Sequence, residues 1–256
     1  MLMAAPRLKV CGVIPARLGS TRLPGKVLRE LAGKPMLQWV LEGADHPDLL
    51  EDLIVATDSE EVFRFCGAKG YRVLMTSPLH CSGTDRLAEV ATRSAADVYV
   101  NIQGDEPLVR REHLEALLEP FGRESVTCTT LATPIAASEA QDPNRVKVVV
   151  AQDGRALYFS RSVIPYDRQG SPGGEMLKHL GFYAYTRKTL DLFHSLKPTP
   201  LERREKLEQL RLLEHGVAIH VVVTPFDTVG VDTEADLRLA ERLLLARTSG
   251  AAAGSG

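Results

Sequence analysis

Short β-branched and apolar runs alternate with longer segments whose apolar positions recur every three or four residues, and this rhythm carries the chain to about residue 125. "KVCGVIPA" (9–16), "DLIVATD" (52–58), "YRVLMT" (71–76) and the apolar start of "DVYVNIQGDEPLV" (97–109) predict strands. "PMLQWVLEGA" (35–44), "SEEVFRFCGAKG" (59–70), "TDRLAEVATRSA" (84–95) and "EHLEALLEPF" (112–121) predict helices, with Ser59 placed to cap the second. Strand and helix in alternation are most simply satisfied by an α/β fold with a mostly parallel sheet. From about residue 126 the pattern changes, and "VTCTTLATPI" (126–135), "RVKVVVAQDGRALYFSR" (145–161) and "LKHLGFYAYT" (177–186) alternate like antiparallel strands. Helical "TLDLFHSL" (189–196) and "PLERREKLEQLRLLEHG" (200–216) follow, then a strand "AIHVVVT" (218–224), the turn "FDTVGVDT" (226–233) and a closing helix "EADLRLAERLLLA" (234–246). "TSGAAAGSG" (248–256) has no large apolar residue to bury and predicts a mobile tail.

Composition narrows the classes. The chain has 256 residues, 44% hydrophobic and 25% charged, which is ordinary for a globular protein of one large or two unequal domains. A net charge of −2 provides no global basic field for nucleic acid, so any affinity for phosphate is local. Cys11, Cys66, Cys81 and Cys128 are widely spaced, with no C-x-x-C pair, which argues against a zinc site and a disulfide framework and predicts reduced thiols. Arg7 and Lys9 interrupt the apolar start, and no stretch approaches membrane-spanning length, so the expectation is a cytoplasmic protein with no membrane partner.

In open parallel sheets ligands sit beyond the carboxyl ends of the strands, and the turns at 15–26, 57–59, 76–86 and 103–107 fall there. "IPARLGSTRLPGKVL" (14–28) sets basic residues and two glycines directly after an apolar run, a pattern suited to an anion. It is not a Walker A loop, because five residues separate Gly19 from Gly25 and Val27 follows Lys26, and no second glycine follows Gly19 as a dinucleotide fingerprint requires. A surface turn with solvated basic residues is the plain alternative. Asp105, in "VNIQGDEPL", suits either a turn or a hard divalent cation. Asp232, in "VGVDTEADL", reads by pattern as a helix N-cap, and Ser82 with Gly83 and Thr84 reads as a capping loop that could also face a base or ribose.

"IPAR-x-x-STRLPGK" (14–26), "ATDSEEV" (56–62), "H-x-SGTDRLAEV" (80–90) and "VNIQGDEP" (100–107) together resemble, in order and spacing, the CMP-Kdo synthetases, cytidylyltransferases that activate 3-deoxy-D-manno-octulosonate (Kdo). The resemblance runs on through "DPNRVKVVV" (142–150), "ALYFSRSVIPYDR" (156–168), "KHLGFYAY" (178–185), "LE-x-x-EKLEQLRLL" (201–213) and "GVDTEADL" (230–237). It implies a mostly parallel, Rossmann-like nucleotidyltransferase sheet with a smaller antiparallel insertion. Residues 1–154 and 216–247 would form the nucleotide-binding domain, and 155–215 a sugar-binding and dimerisation insertion of a homodimer. The implied reaction is CTP + Kdo → CMP-Kdo + diphosphate, with Mg²⁺, for lipopolysaccharide biosynthesis.

The resemblance also assigns roles. Arg17 and Lys26 would neutralise the triphosphate in a loop that begins at Pro15 and Ala16, with Arg22 as a helper. Ser82 and Gln103 would contact cytidine, and Asp105 and Asp232 would bind Mg²⁺, which for Asp232 replaces the capping role. Arg161, His179, Tyr183, Glu208 and Gln209 match positions around the sugar acid; read alone they are a surface arginine, a strand histidine, a packing tyrosine and two residues of a charged helix. Two features depart from the pattern: the linker "QGSPGGEM" (169–176) is short, and Asp85 stands where glutamate is expected. A sialate-like acceptor and a catalytically silent nucleotide-binding protein are the rival readings, and a nucleic-acid binder is disfavoured by the charge.

Overall fold

The computed structural model describes residues 8–20, 22–80, 82–123, 125–168 and 176–253. In chain order the first elements are β1 (Val10–Pro15), β2 (Glu30–Leu31), β3 (Lys34–Pro35), α1 (Met36–Ala44), β4 (Asp52–Thr57), α2 (Glu60–Ala68), β5 (Arg72–Met75), α3 (Gly83–Thr92), β6 (Val98–Asn101) and α4 (Arg111–Leu118). They are followed by β7 (Cys128–Ile135), β8 (Lys147–Val150), β9 (Ala156–Ser160), β10 (Met176–Thr186), α5 (Arg187–Ser195), α6 (Pro200–Glu205), α7 (Leu210–Glu214), β11 (His220–Val223) and α8 (Glu234–Ala253).

The chain divides into two compact units, Met1–Arg111 with Thr228–Gly256, and Glu112–Asp227. In the first, four parallel strands lie in the order β6-β1-β4-β5, with Val13 opposite both Ile54 and Asn101. Val13, Ile14, Ile54 and Val55 are fully buried, as expected for parallel strands covered on both faces, and this explains why they read as unbroken apolar runs. The Ser59 hydroxyl accepts from Val62 N–H and caps α2, as the sequence predicts.

In the second unit the order is β11-β7-β10-β8-β9, antiparallel except for the parallel pair β11 and β7. This is the expected α/β class, with a parallel sheet in one unit and a mostly antiparallel one in the other. The division between units falls outside the 155–215 boundaries read from the sequence, because β7 pairs along nearly the whole of β10 and β11 pairs with β7, so all three strands stay together.

Three local readings change. The single helix expected over 200–216 is broken at Lys206, whose left-handed φ of 56° ends α6. The break lets α7 fold back, so that the buried Arg211 guanidinium meets the buried Glu202 carboxylate. Leu207–Gln209 therefore lies between helices. The closing helix runs on to Ala253, through most of the expected tail at 248–256, since its alanines favour helix; 254–256 lie outside the described residues. The β2–β3 hairpin has two-residue strands, too short to leave a pattern.

Cys11, Cys66 and Cys128 are free and buried, whereas Cys81 and most of the 169–176 linker lie outside the described residues. Among the described residues no helix is long and apolar enough to cross a membrane.

Candidate active site

The first unit builds its site where β1 and β6 end. Ala16 N–H donates to Ala56 O, extending the ladder by one residue before the chain turns away. Leu23 is buried in a cluster with Leu31, Met36, Leu108, Val231, Leu237 and Leu244, and Val27 is buried beside it in sequence. Burying a side chain of this size stabilises by roughly 1.5–3 kcal/mol, enough to fix which way the loop faces. Gly25, at φ 66°, supplies the left-handed turn that starts the short 3-10 segment Lys26–Leu28.

The turn after β6 lies against the end of β1, with Ile102 N–H donating to Val13 O. A Cβ on Gly104 would stand 2.7 Å from Pro15 O, so only glycine permits this approach. Two further hydrogen bonds join this turn to the loop before α8. Val231 N–H donates to Asp105 O at 2.9 Å, and the Thr228 hydroxyl donates to buried Glu106 at 2.6 Å. Glu106 thus serves as a tie. The N-cap expected at Asp232 is instead Thr233, whose Oγ1 accepts from Asp236 N–H while the Asp236 carboxylate accepts from Thr233 N–H. That leaves the Asp232 carboxylate for other partners.

Those partners are cations. Lys26 Nζ donates to Asp105 Oδ2 and, at 2.9 Å, to Asp232 Oδ1, while Arg22 Nη2 lies 2.8 Å from Asp232 Oδ2. Burial by itself lowers the pKa of the Lys26 ammonium, but the charges and hydrogen bonds of Asp105 and Asp232 outweigh it and hold the pKa above the ordinary lysine value. Two carboxylates brought onto one positive atom form an all-oxygen donor pair of the kind a hard divalent cation takes, so the residues fit Mg²⁺.

Every nucleotide candidate, Pro15, Ala16, Arg17, Arg22, Lys26, Ser82 and Gln103, lines one open cleft of about 310 Å³, together with Asp105 and Asp232. Arg17 is exposed and makes no ion pair among the described residues. Ser82 both caps α3, accepting from Asp85 N–H at 3.1 Å, and faces the cleft, so its two readings are compatible. Arg86 also lines the cleft and was not singled out from the sequence. It is buried, with its guanidinium donating to Thr76 Oγ1 at 2.7 Å and to Asp58. The available signal was a charged residue standing directly before Leu87 and Ala88 on the buried face of α3.

Residues 11–219 match the family model described as Cytidylyltransferase. The chain is 53% identical over 248 residues to a 3-deoxy-manno-octulosonate cytidylyltransferase of Koribacter versatilis, covering 95% of each chain. It is 54% identical over 240 residues to one of Acidobacterium capsulatum, covering 94% of this chain and 98% of that one. The chain belongs to the 3-deoxy-manno-octulosonate cytidylyltransferase family. A solved structure of CMP:2-keto-3-deoxy-manno-octonic acid synthetase complexed with CTP superposes with a TM-score of 0.89 at 43% identity, covering 93% of this chain and 99% of that one.

The remaining candidates of this cytidylyltransferase lie in the second unit. A bulge in the β7–β10 ladder between Leu180 and Tyr183 brings His179 and Tyr183 together, ring centroids 5.3 Å apart, with Phe159 edge-on to His179 at 5.1 Å. His179 Nε2 shares a hydrogen bond of 3.0 Å with Thr130 Oγ1. Desolvation, aided by the charge of Lys178, drives the His179 pKa down to about 3, so the ring is neutral at ordinary pH. Burial raises the Tyr183 phenol well above its usual value, and the nearby Glu208 carboxylate adds to this. Gln209 Nε2 is buried without a hydrogen-bond partner among the described residues. Arg161 donates to Glu205 O at 2.7 Å, to Pro143 O at 3.1 Å and to Lys206 O at 3.5 Å. It is thus tied to the turn that precedes Glu208 and Gln209. The structure brings His179 beside Tyr183 and Arg161 beside that turn; it shows no contact between Arg161 and His179.

Proposed function

We propose that this chain joins CTP to 3-deoxy-D-manno-octulosonate, releasing CMP-Kdo and diphosphate. The C2 hydroxyl oxygen of the sugar acid forms a bond to the α-phosphorus of CTP. The bond from that phosphorus to the diphosphate oxygen breaks in line, the electron pair leaves with diphosphate, and the hydroxyl proton passes to water. One observation carries the reading beyond family membership: the cations of the 15–26 loop, Ser82, Gln103 and the Asp105–Asp232 pair all face a single cleft. Phosphoryl transfer of this kind asks the protein for positioning and charge neutralisation more than for covalent work.

Arg17, Arg22 and Lys26 neutralise the triphosphate, and Arg17 and Lys26 stabilise charge that builds on the departing diphosphate. Ser82 and Gln103 contact the base and ribose. Asp105 and Asp232 hold Mg²⁺, which when bound supplies further charge neutralisation at the phosphates. His179, Tyr183, Arg161, Glu208 and Gln209 form the sugar-acid side. On that side a neutral His179 serves as a hydrogen-bond partner to hydroxyls, and Arg161 is the residue able to meet the carboxylate. The unpaired Gln209 Nε2 supports a polyol ligand there.

The protein acts as a homodimer in the cytoplasm, in lipopolysaccharide biosynthesis. Exposed Leu157 and Tyr166 in the 155–215 segment support a self-contact there.

Incubation with CTP, Kdo and Mg²⁺ should release diphosphate. UTP lacks the N4 donor of cytosine and leaves pocket acceptors unpaired, at roughly 1–3 kcal/mol each, so CTP should be preferred by about tenfold or more. No diphosphate with Kdo, or equal use of UTP, overturns the sugar or the base assignment respectively.

A further inference from the structure

We infer that Lys26 is a stand-in counter-ion: its ammonium, bridging Asp105 and Asp232, takes the place a divalent cation would fill, so that nucleotide must draw it away before those carboxylates can ligate a metal. This rests on the proposed assignment of the two aspartates as metal ligands.

Three observations support it. Lys26 Nζ bridges the two carboxylates, one oxygen from each. Arg22 takes the other oxygen of Asp232, so two cations already balance two acids and leave no net negative charge for a free divalent ion to seek. The backbone around Lys26 is held, with Val27 buried and Lys26 O accepting from Arg29 N–H, whereas the side chain is a four-carbon lever whose tip can swing without moving the loop. An ammonium and a divalent cation cannot share the same two oxygens at hydrogen-bond distance, because their repulsion acts over a few ångströms in a partly desolvated site.

The triphosphate is the competitor that resolves this. It offers several charged oxygens to Lys26 and Arg22, and each cation that turns to it frees a carboxylate oxygen. Nucleotide and metal then bind with positive coupling, and by linkage each must raise the affinity of the other to the same degree. The metal should enter with CTP or after it.

Mn²⁺ serves as the probe, followed by the enhancement of water proton relaxation that distinguishes protein-bound from free or nucleotide-bound ion. The full chain without nucleotide should bind Mn²⁺ weakly. Lys26→Met should bind it at least tenfold more tightly, Lys26→Arg should show no gain, and Lys26→Met with Asp105→Asn should lose the gain. Circular dichroism confirms that each variant is folded. Tight Mn²⁺ binding by the unaltered chain without nucleotide overturns the inference, as does an absence of gain in Lys26→Met or an equal gain in Lys26→Arg. A parallel series with CTP tests the ligand assignment itself. If Asp105→Asn and Asp232→Asn each abolish Mn²⁺ binding there, the ligands stand and a failure belongs to Lys26 alone. If neither does, the ligand assignment and the inference fall together.

Discussion

In the first unit, Lys26, Arg22, Asp105 and Asp232 stand together as ion pairs at the wall of an open cleft, whereas in the second His179 and Tyr183 are polar groups that burial keeps neutral. The difference follows from solvent. A charge beside water and an opposite charge costs little to hold, but a group wrapped in Phe159, Tyr183 and strand backbone can stay only if it carries none. The first region is prepared for an ionic ligand and the second for a ligand met largely through neutral hydrogen bonds, with Arg161 and Glu208 as its charged candidates.

The largest effect expected of this contrast is in the first region. Asp105→Asn and Asp232→Asn should each lower kcat by about 10³, roughly 4 kcal/mol, with the circular dichroism spectrum unchanged. A fully active Asp232→Asn would mean that its charge serves structure alone. Next comes Arg161→Met, which should raise the KM for Kdo or lower kcat/KM by about ten- to hundredfold, roughly 1.4–2.8 kcal/mol, with CTP affinity by calorimetry unchanged. Loss of CTP affinity with normal Kdo dependence would erase the proposed division of labour.

The third test uses pH. His179 has its pKa lowered from 6.5 to about 3 in the fold, so between those values the unfolded chain binds more protons and stability rises with pH. Its contribution is complete above 6.5 and is lost as pH falls toward 3. Urea unfolding at pH 6.5 and pH 5 should show the natural chain losing about 1.5 kcal/mol more than His179→Asn. Equal losses would mean that the histidine is solvated and the two regions are alike. The smallest effect is a control on the first region: Thr233→Ala removes the α8 cap and should cost about 1 kcal/mol of stability with kcat unchanged, separating the cap from its neighbour Asp232.

The parallel strands were legible because burial on both faces writes itself as continuous apolar runs, as in Val13–Ile14 and Ile54–Val55. The cleft was legible as well, since motifs at strand ends converge in this architecture. The break at Lys206 was not, because the charged and apolar spacing of 200–216 is helical throughout, and the turn is favoured by tertiary contacts, among them the Glu202–Arg211 pairing and the bonds from Arg161 to Glu205 O and Lys206 O. Arg86 was hidden for a related reason. A buried arginine becomes sensible only once Asp58 and Thr76, distant in sequence, stand beside it. Asp232 was misread locally because Thr233 and Asp236 form an equally good capping pair one residue on.

The hydrogen bond between Lys26 and Asp232 spans 206 positions of sequence, and the whole second unit lies within that span. On a ribosome the loop bearing Lys26 is therefore finished long before the acid that completes its charge balance exists. Translation delivers Asp232 only after residues 112–227 have emerged and begun to fold. The apolar cluster shared by Leu23 and Val231 must likewise wait for its distant member, so the two sequence-separated parts of the first unit join late in synthesis, by a contact of very high order. A nascent chain halted before Val231 would carry the cationic loop without its closing partner, and competence for catalysis would arrive only once the segment bearing Val231 and Asp232 has emerged.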